Sequence, residues 1–376
     1  MQRIFFDNAS TTPLDEQVIE AMTAAMQNLY GNPSSIHAEG RQARAAIEQA
    51  RKTVAHRLGA SIGEIFFTSG GTESSNMVLK NAVRDLGVRR IISSRIEHHC
   101  VLHSVEALER QGLIHADWVH LDAKGRVDMQ HLEALLKTGS EKTLVSLMHS
   151  NNEIGAMIDL PAVGALCHEH GALFHSDTVQ TIGYFDFHLA DWPVDFITGS
   201  SHKFYGPKGT GFVFINSDCA LKPYVDGGGQ ERNMRGGTEN TPGIIGLATA
   251  LELAYEHLAE RRAQVTGLRD YLRARIGEEF PAARLYGDPD GGHYKLLNVG
   301  FPPTPRTDLL LLNLDIAGVS VSGGSACTSG ADAGSHVVEA LGGEPSWKAV
   351  RFSFSHHNSR EEVDVVMEKL KECLPL

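Results

Sequence analysis

Short apolar runs alternate with amphipathic helical stretches through the first two-thirds of this 376-residue chain. That rhythm restricts the fold more than any other feature, because parallel strands need a crossover of helical length and amphipathic helices need a sheet to cover. Strands are expected at 64–67, 90–93, 118–121, 143–148, 172–175, 194–197 and 211–215, with helices such as 41–58 and 161–170 between them. The helix over 161–170 opens on Pro161 and halts at Gly171, the expected pairing of start and stop residues. An α/β fold follows, with a mostly parallel seven-stranded sheet flanked by helices. After about residue 256 the character changes. A charged helix over 258–280 leads into short strands and helices, which reads as a smaller α+β domain.

With 42% hydrophobic and 21% charged residues, the chain can bury a sizeable core and is long enough for two domains. Its net charge of −12 argues against direct nucleic-acid binding, which needs a basic stripe. No apolar run approaches the roughly 20 residues that span a bilayer, and the first ten residues carry no apolar leader, so a cytoplasmic protein is expected. The five cysteines, Cys100, Cys167, Cys219, Cys327 and Cys373, are odd in number and widely spaced. Free thiols fit that pattern better than a disulfide framework.

Three strand ends carry chemistry. The run Thr198-Gly-Ser-Ser-His-Lys-Phe-Tyr-Gly-Pro-Lys-Gly209 delivers Lys203 from an apolar strand into a glycine-bounded turn. A lysine desolvated there becomes an amine nucleophile suited to imine formation, although the run alone leaves a surface lysine open. In Phe66-Phe-Thr-Ser-Gly-Gly-Thr72 the chain leaves a strand, turns on Gly70 and Gly71 and enters a helix at Thr72. Such a turn is either an ordinary cap or a receptor for phosphate at a helix N-terminus. In His175-Ser-Asp-Thr-Val-Gln180, Asp177 is either a structural cap or the partner of a protonated ring nitrogen. A lysine for an imine, an aspartate for a pyridine nitrogen and a glycine–threonine turn for a phosphate together match the anchors of pyridoxal 5'-phosphate.

The chain resembles the cysteine desulfurases, in the class V aminotransferase-like group of fold-type I pyridoxal phosphate enzymes. The resemblance runs nearly end to end: Asp7-Asn-Ala-Ser-Thr-Thr12, Gly31-Asn-Pro-Ser-Ser35, Thr68-Ser-Gly-Gly-Thr-Glu-Ser74, Glu97-His98, Asn151-Asn-Glu-Ile-Gly155, Ser201-His-Lys-Phe-Tyr-Gly-Pro-Lys-Gly209, Arg235-Gly-Gly-Thr238, Ser322-Gly-Gly-Ser-Ala-Cys-Thr-Ser329 and Val350-Arg-Phe-Ser353. It implies that Lys203 forms the imine, Asp177 pairs with the pyridine nitrogen, Gln180 contacts the phenolic oxygen and His98 stacks on the ring. It assigns the phosphate to Gly71, Thr72, Ser200 and His202, with Thr238 supplied by the neighbouring subunit of a homodimer. Asn152 and Arg351 would hold the substrate carboxylate, a task suited to a planar guanidinium. The implied large domain is 13–257, and the small one is 1–12 with 258–376.

Cys327 names the reaction, since the cofactor alone serves several. It lies in 322–335, a tract almost wholly of Gly, Ser and Ala that reads as a mobile loop of the long form, whereas Cys100, Cys167 and Cys219 read as inert core residues. On this reading the Cys327 thiol takes sulfur from L-cysteine as a persulfide, His98 assists proton transfer, L-alanine leaves, and the sulfur passes to an acceptor or iron–sulfur scaffold protein. The alternatives are an aminotransferase, a selenocysteine lyase, or a catalytically weak sulfur-relay partner. Ser10 and Thr178-Val179 depart from the family pattern, and the chain ends at Leu376, short of the longer tail that related enzymes use for scaffold docking. Cys167-His-Glu-His170 and the His99/His103 pair look ligand-like, but the glutamate of an HExxH motif is missing, so no metal is expected.

Overall fold

The computed structural model describes residues 3–324, 334–344 and 346–374. Cys327 and most of the glycine-rich tract lie outside the described residues. In chain order the strands are β1 (Ile4–Phe5), β2 (Ile65–Thr68), β3 (Arg90–Ser93), β4 (His115–Trp118), β5 (Thr143–Ser146), β6 (Leu173–Asp177), β7 (Phe196–Ser200), β8 (Gly211–Ile215), β9 (Arg284–Tyr286), β10 (Leu296–Phe301), β11 (Val319–Ser320) and β12 (Lys348–Ser353).

Seven of them form the main sheet in the order β2-β8-β7-β6-β5-β3-β4. Only β8 runs against the others, antiparallel to both β2 and β7. Strand pleating explains why the central runs are continuously apolar. Phe66, Ile91, Leu144, Phe196 and Val213 enter one core, while Phe67, Ile92, Val145, Ile197 and Phe212 enter the core on the opposite face. Helices Gly71–Asp85, His99–Arg110 and Leu160–Glu169 belong to the layers that cover these faces.

The expected strand at 118–121 is displaced to His115–Trp118. Its polar residues hid it from an apolar pattern: it is an edge strand, and Asp117 is neutralised by Arg90 Nε at 2.6 Å on the neighbouring β3. The other strands start and end within two or three residues of the expected limits.

The last third builds a separate antiparallel sheet, β12-β10-β9, with Asn298 opposite Arg351. Helices Leu258–Glu279 and Arg360–Cys373 carry apolar faces into its core. The N-terminus joins this region. β1 pairs in parallel with β11, and Asp7 bridges to Ser353. This long-range pairing carries residues 7–10 to the edge of the main sheet where Lys203 emerges. No helix among the described residues is long and apolar enough to cross a membrane.

Candidate active site

Because β2, β6 and β7 are parallel, their C-terminal residues Thr68, Asp177 and Ser200 share one edge of the sheet, the edge at which α/β folds bind ligands. A cavity of about 240 Å³ opens there. Ten of the sequence-derived candidates line it: Gly71, Thr72, His98, Asn152, Asp177, Gln180, Ser200, His202, Lys203 and Arg351. Thr238 does not. It is exposed, on the segment after the Arg235–Glu73 ion pair of 2.9 Å. Cys327 is outside the described residues.

Lys203 ends a single turn of 3-10 helix that follows β7. Its Nζ donates to the carbonyl oxygens of Ala9 at 2.7 Å and Ser10 at 2.8 Å, and its own carbonyl accepts from Tyr184 Oη at 2.8 Å. Asp177 is buried at the end of β6, where Oδ1 accepts the Val179 amide at 3.0 Å. Burial pushes its carboxyl up to about 6, with the Lys203 charge opposing that rise. A carboxylate so desolvated, accepting the Val179 amide, favours a cationic or proton-bearing partner in the cavity. Gln180 donates Nε2 to Ala9 O at 3.0 Å and keeps Oε1 buried without a partner, so its amide retains hydrogen-bonding capacity.

The helix Gly71–Asp85 starts at the cavity wall with Gly70 as its N-cap, and Gly70 supplies no side-chain cap. Gly70 has φ 151°, and a Cβ on Gly71 would stand 2.6 Å from Val179 Cγ2. The turn therefore needs glycine twice, once for conformation and once for space, and its uncapped amides can receive an anion. Ser200 and His202 line the same cavity. His202 Nδ1 lies 3.2 Å from Thr11 Oγ1, and burial, then the charge of Lys203, pushes its imidazole down to about 3, leaving a neutral ring.

His98 caps the helix His99–Arg110, its Nδ1 accepting the Cys100 amide at 3.2 Å. The ring proton therefore sits on Nε2. Burial first and Lys203 second hold the imidazole down to about 4, so it is neutral at pH 7. Arg351, buried on β12, donates Nη1 to Asn152 O at 2.7 Å and Nη2 to Asp7 Oδ1 at 2.8 Å and Ser10 Oγ at 2.6 Å. Its Nε is buried without a partner, which leaves a donor for an incoming carboxylate.

Five further lining residues are not among the sequence-derived site candidates: Ala9, Ser10, Cys100, Met148 and Val179. Ala9 and Ser10 belong to the Asp7–Thr12 segment that resembles the family, but only long-range strand pairing reveals that its carbonyls face the lysine. Cys100 is a correction to the core reading: it is half-buried on the cavity wall, 3.0 Å from His98 Nδ1. Burial, reinforced by Asp177, pushes its thiol far up, so it is a poor thiolate despite its position. The other thiols assigned to the core, Cys167 and Cys219, are buried.

An amine, a buried carboxylate, an anion-receiving turn and a guanidinium around one cavity can hold a phosphorylated carbonyl compound beside an amino acid. The chain matches the family described as aminotransferase class-V over residues 4–366. It is 40% identical over 380 residues to a putative cysteine desulfurase IscS 1 of Bacillus subtilis (strain 168), covering 100% of this chain and 99% of that protein. Among solved structures it superposes on a NifS-like protein with a TM-score of 0.91 at 36% identity, over 99% of each chain. It also superposes on one described as SspA in complex with cysteine, with a TM-score of 0.81 at 30% identity, covering 95% of this chain and 100% of that one. The chain belongs to the class-V aminotransferase family and, within it, to the cysteine desulfurases.

Proposed function

We propose that the protein is a pyridoxal phosphate-dependent cysteine desulfurase that moves the sulfur of L-cysteine onto Cys327 as a persulfide and releases L-alanine. The observation that carries this reading is the convergence of Lys203, Asp177, the Gly70–Gly71 turn and Arg351 on one cavity. The residues fit the cofactor: Gly71 leaves a cradle that a Cβ would fill, Asp177 is a desolvated carboxylate suited to a protonated ring nitrogen, and Gln180 has an orphaned amide oxygen. When bound, pyridoxal phosphate supplies an electron sink for the bonds at the substrate's Cα.

The chain's own groups then divide the work. Gly71, Thr72, Ser200 and His202 would hold the phosphate, joined by Thr238 from a neighbouring subunit, and the neutral imidazole of His98 would stack on the ring. Arg351 and Asn152 orient the substrate carboxylate, with Arg351 Nε as the uncommitted donor. Lys203 would anchor the cofactor through its amine and, with the substrate in place, would move the Cα proton. Cys327 attacks the substrate sulfur as a thiolate. The S–S bond forms as the Cβ–S bond breaks, the carbon keeps that electron pair and takes a proton, and alanine leaves. The neutral His98 would assist as a hydrogen-bond donor through its Nε2–H, because its Nδ1 already accepts the Cys100 amide.

The same reading divides the chain into a large domain, 13–257, and a small domain, 1–12 with 258–376, in a cytoplasmic homodimer. Its persulfide passes to a thiol acceptor or an iron–sulfur scaffold protein. The test is to incubate the protein with L-cysteine and a reductant and to measure sulfide and alanine together, with Cys327→Ala alongside. Equal yields from the parent, both lost in the variant, support the assignment. Activity that persists without Cys327 refutes sulfur transfer through that thiol.

A further inference from the structure

Away from the cavity, two segments distant in sequence bring metal-ligating side chains together beside Tyr205. Asp15 precedes the helix Glu16–Asn28 as its N-cap, yet its side chain makes no cap hydrogen bond. Its carboxylate turns instead toward His356 and His357, in the turn that follows β12, and toward Arg261 on the helix Leu258–Glu279. Both imidazole Nε2 atoms stand 3.5 Å from the same oxygen, Asp15 Oδ1. A charged N–H···O⁻ bond runs to about 2.7–2.9 Å, so neither contact is a good hydrogen bond. Separations near 3.4 Å are what tetrahedral coordination produces when metal–nitrogen and metal–oxygen bonds are about 2.0–2.1 Å. All three donor atoms lie within 4.8 Å of one another.

We propose that Asp15, His356 and His357 form a binding site for a divalent transition metal of the zinc type, which would join the N-terminal helix to the turn after β12. Two imidazoles and one carboxylate suit zinc better than calcium or magnesium, which prefer all-oxygen shells. The second carboxylate oxygen is already engaged: Arg261 Nη2 donates to Asp15 Oδ2 at 3.0 Å. Arg261 thus acts as the outer partner that fixes a monodentate carboxylate, leaving Oδ1 for the ion. The ligands are also pre-positioned. Gln264 Nε2 donates to His356 O at 2.9 Å, the His357 amide donates to Ser355 Oγ at 3.0 Å, and the His356 ring stands edge-on to Tyr205 at 4.4 Å.

An entry path exists, because Asp15 and His357 line an open cleft of about 420 Å³ together with Glu16 and His257. Water from this cleft can complete the fourth position. The two clusters that looked ligand-like in the sequence do not converge in this way: His168 pairs with Asp195 at 3.0 Å, and His99 and His103 stack on one another with centroids 4.8 Å apart.

The test uses the full chain, stripped with a chelator and dialysed against zinc, with bound metal counted by plasma mass spectrometry. The parent is expected to retain about one zinc per chain at this site and to unfold at a higher temperature in its presence. His357→Ala, at a half-exposed position, and the near-isosteric Asp15→Asn should each weaken zinc at least about tenfold and abolish the thermal shift, with His103→Ala behaving as the parent. Cobalt in place of zinc should give a tetrahedral visible spectrum without sulfur charge transfer. Zinc affinity unchanged in both site variants, loss of zinc with His103→Ala alone, or a thiolate band in the cobalt spectrum would each overturn the proposal.

Discussion

Asp177, Gln180, Ser200, His202 and Lys203 form the floor of the cavity, and all lie within 177–203, at or just beyond the ends of two neighbouring parallel strands. The facing wall is assembled differently. It joins Asp7 and Ser10 to Arg351, with a sequence separation of 344 positions between Asp7 and the arginine. The floor is held by strand ladders and by apolar burial on both faces of the sheet, so its geometry survives loss of any single polar contact. The wall depends on side-chain hydrogen bonds and on short pairings, β1 with β11 and Asp7 with Ser353. Lys203 connects the two: it is rooted in the floor, and its Nζ bonds two carbonyl groups of the wall. The floor therefore sets where chemistry happens, and the wall sets how the substrate is presented.

The harshest way to break this arrangement is Lys203→Ala. It removes both the amine and the tie between floor and wall. Alanine release should fall by at least about 10²–10⁴-fold, the range for loss of a positioned acid–base group, and further if the amine is also the covalent anchor. Borohydride reduction followed by peptide mapping should attach the cofactor to Lys203 in the parent. Attachment at any other lysine would sink the assignment. A smaller effect is expected from Arg351→Lys, which keeps the charge but loses the planar fork that reaches Asp7, Ser10 and the Asn152 carbonyl together. One lost hydrogen bond to a charged group is worth about 1.5–3 kcal/mol, so kcat/KM for L-cysteine should drop about 10–100-fold, mostly through KM. A variant that loses kcat with KM untouched would move Arg351 from presentation to chemistry.

The same contrast governs what the sequence discloses. The floor is legible because each anchor follows its own apolar run, so Lys203, Asp177 and the Gly70–Gly71 turn could be placed at strand ends by local pattern. The seven strands of the main sheet were legible for the same reason, with one exception. His115–Trp118 is polar at an edge, where an ion pair rather than apolar burial stabilises it. The wall was not legible from periodicity. That Ala9 and Ser10 face a lysine nearly two hundred positions later depends on a two-residue parallel pairing, which leaves no periodic signature. Nor could composition distinguish Cys100 from the buried thiols, since its place on the cavity wall follows from the start of a helix rather than from its own neighbours in sequence.

Lys295 offers the finest test of how floor and wall fit. It lies just before β10, fully buried, and its Nζ has no hydrogen-bond partner. The ammonium position is 3.8 Å from the ring of Tyr184, the residue whose hydroxyl holds the Lys203 carbonyl. Burial first, then the charges of Lys203 and Arg351, drives its pKa well below the ordinary lysine value. The sign follows from linkage. Below about pH 10.4 the unfolded chain takes up a proton that the native state resists, so this residue subtracts stability at neutral pH and ceases to do so as pH rises through the unfolded value. Lys295→Met keeps most of the volume and removes the penalty. It should raise stability at pH 7 by about 1–3 kcal/mol, the scale for replacing a buried charge with packed apolar atoms, and the gain should shrink toward pH 10. Denaturant unfolding across that range measures it. If the methionine variant is instead less stable at pH 7, Lys295 is not an unrelieved burial: it holds the floor and the wall together, and the two are less independent than their construction suggests.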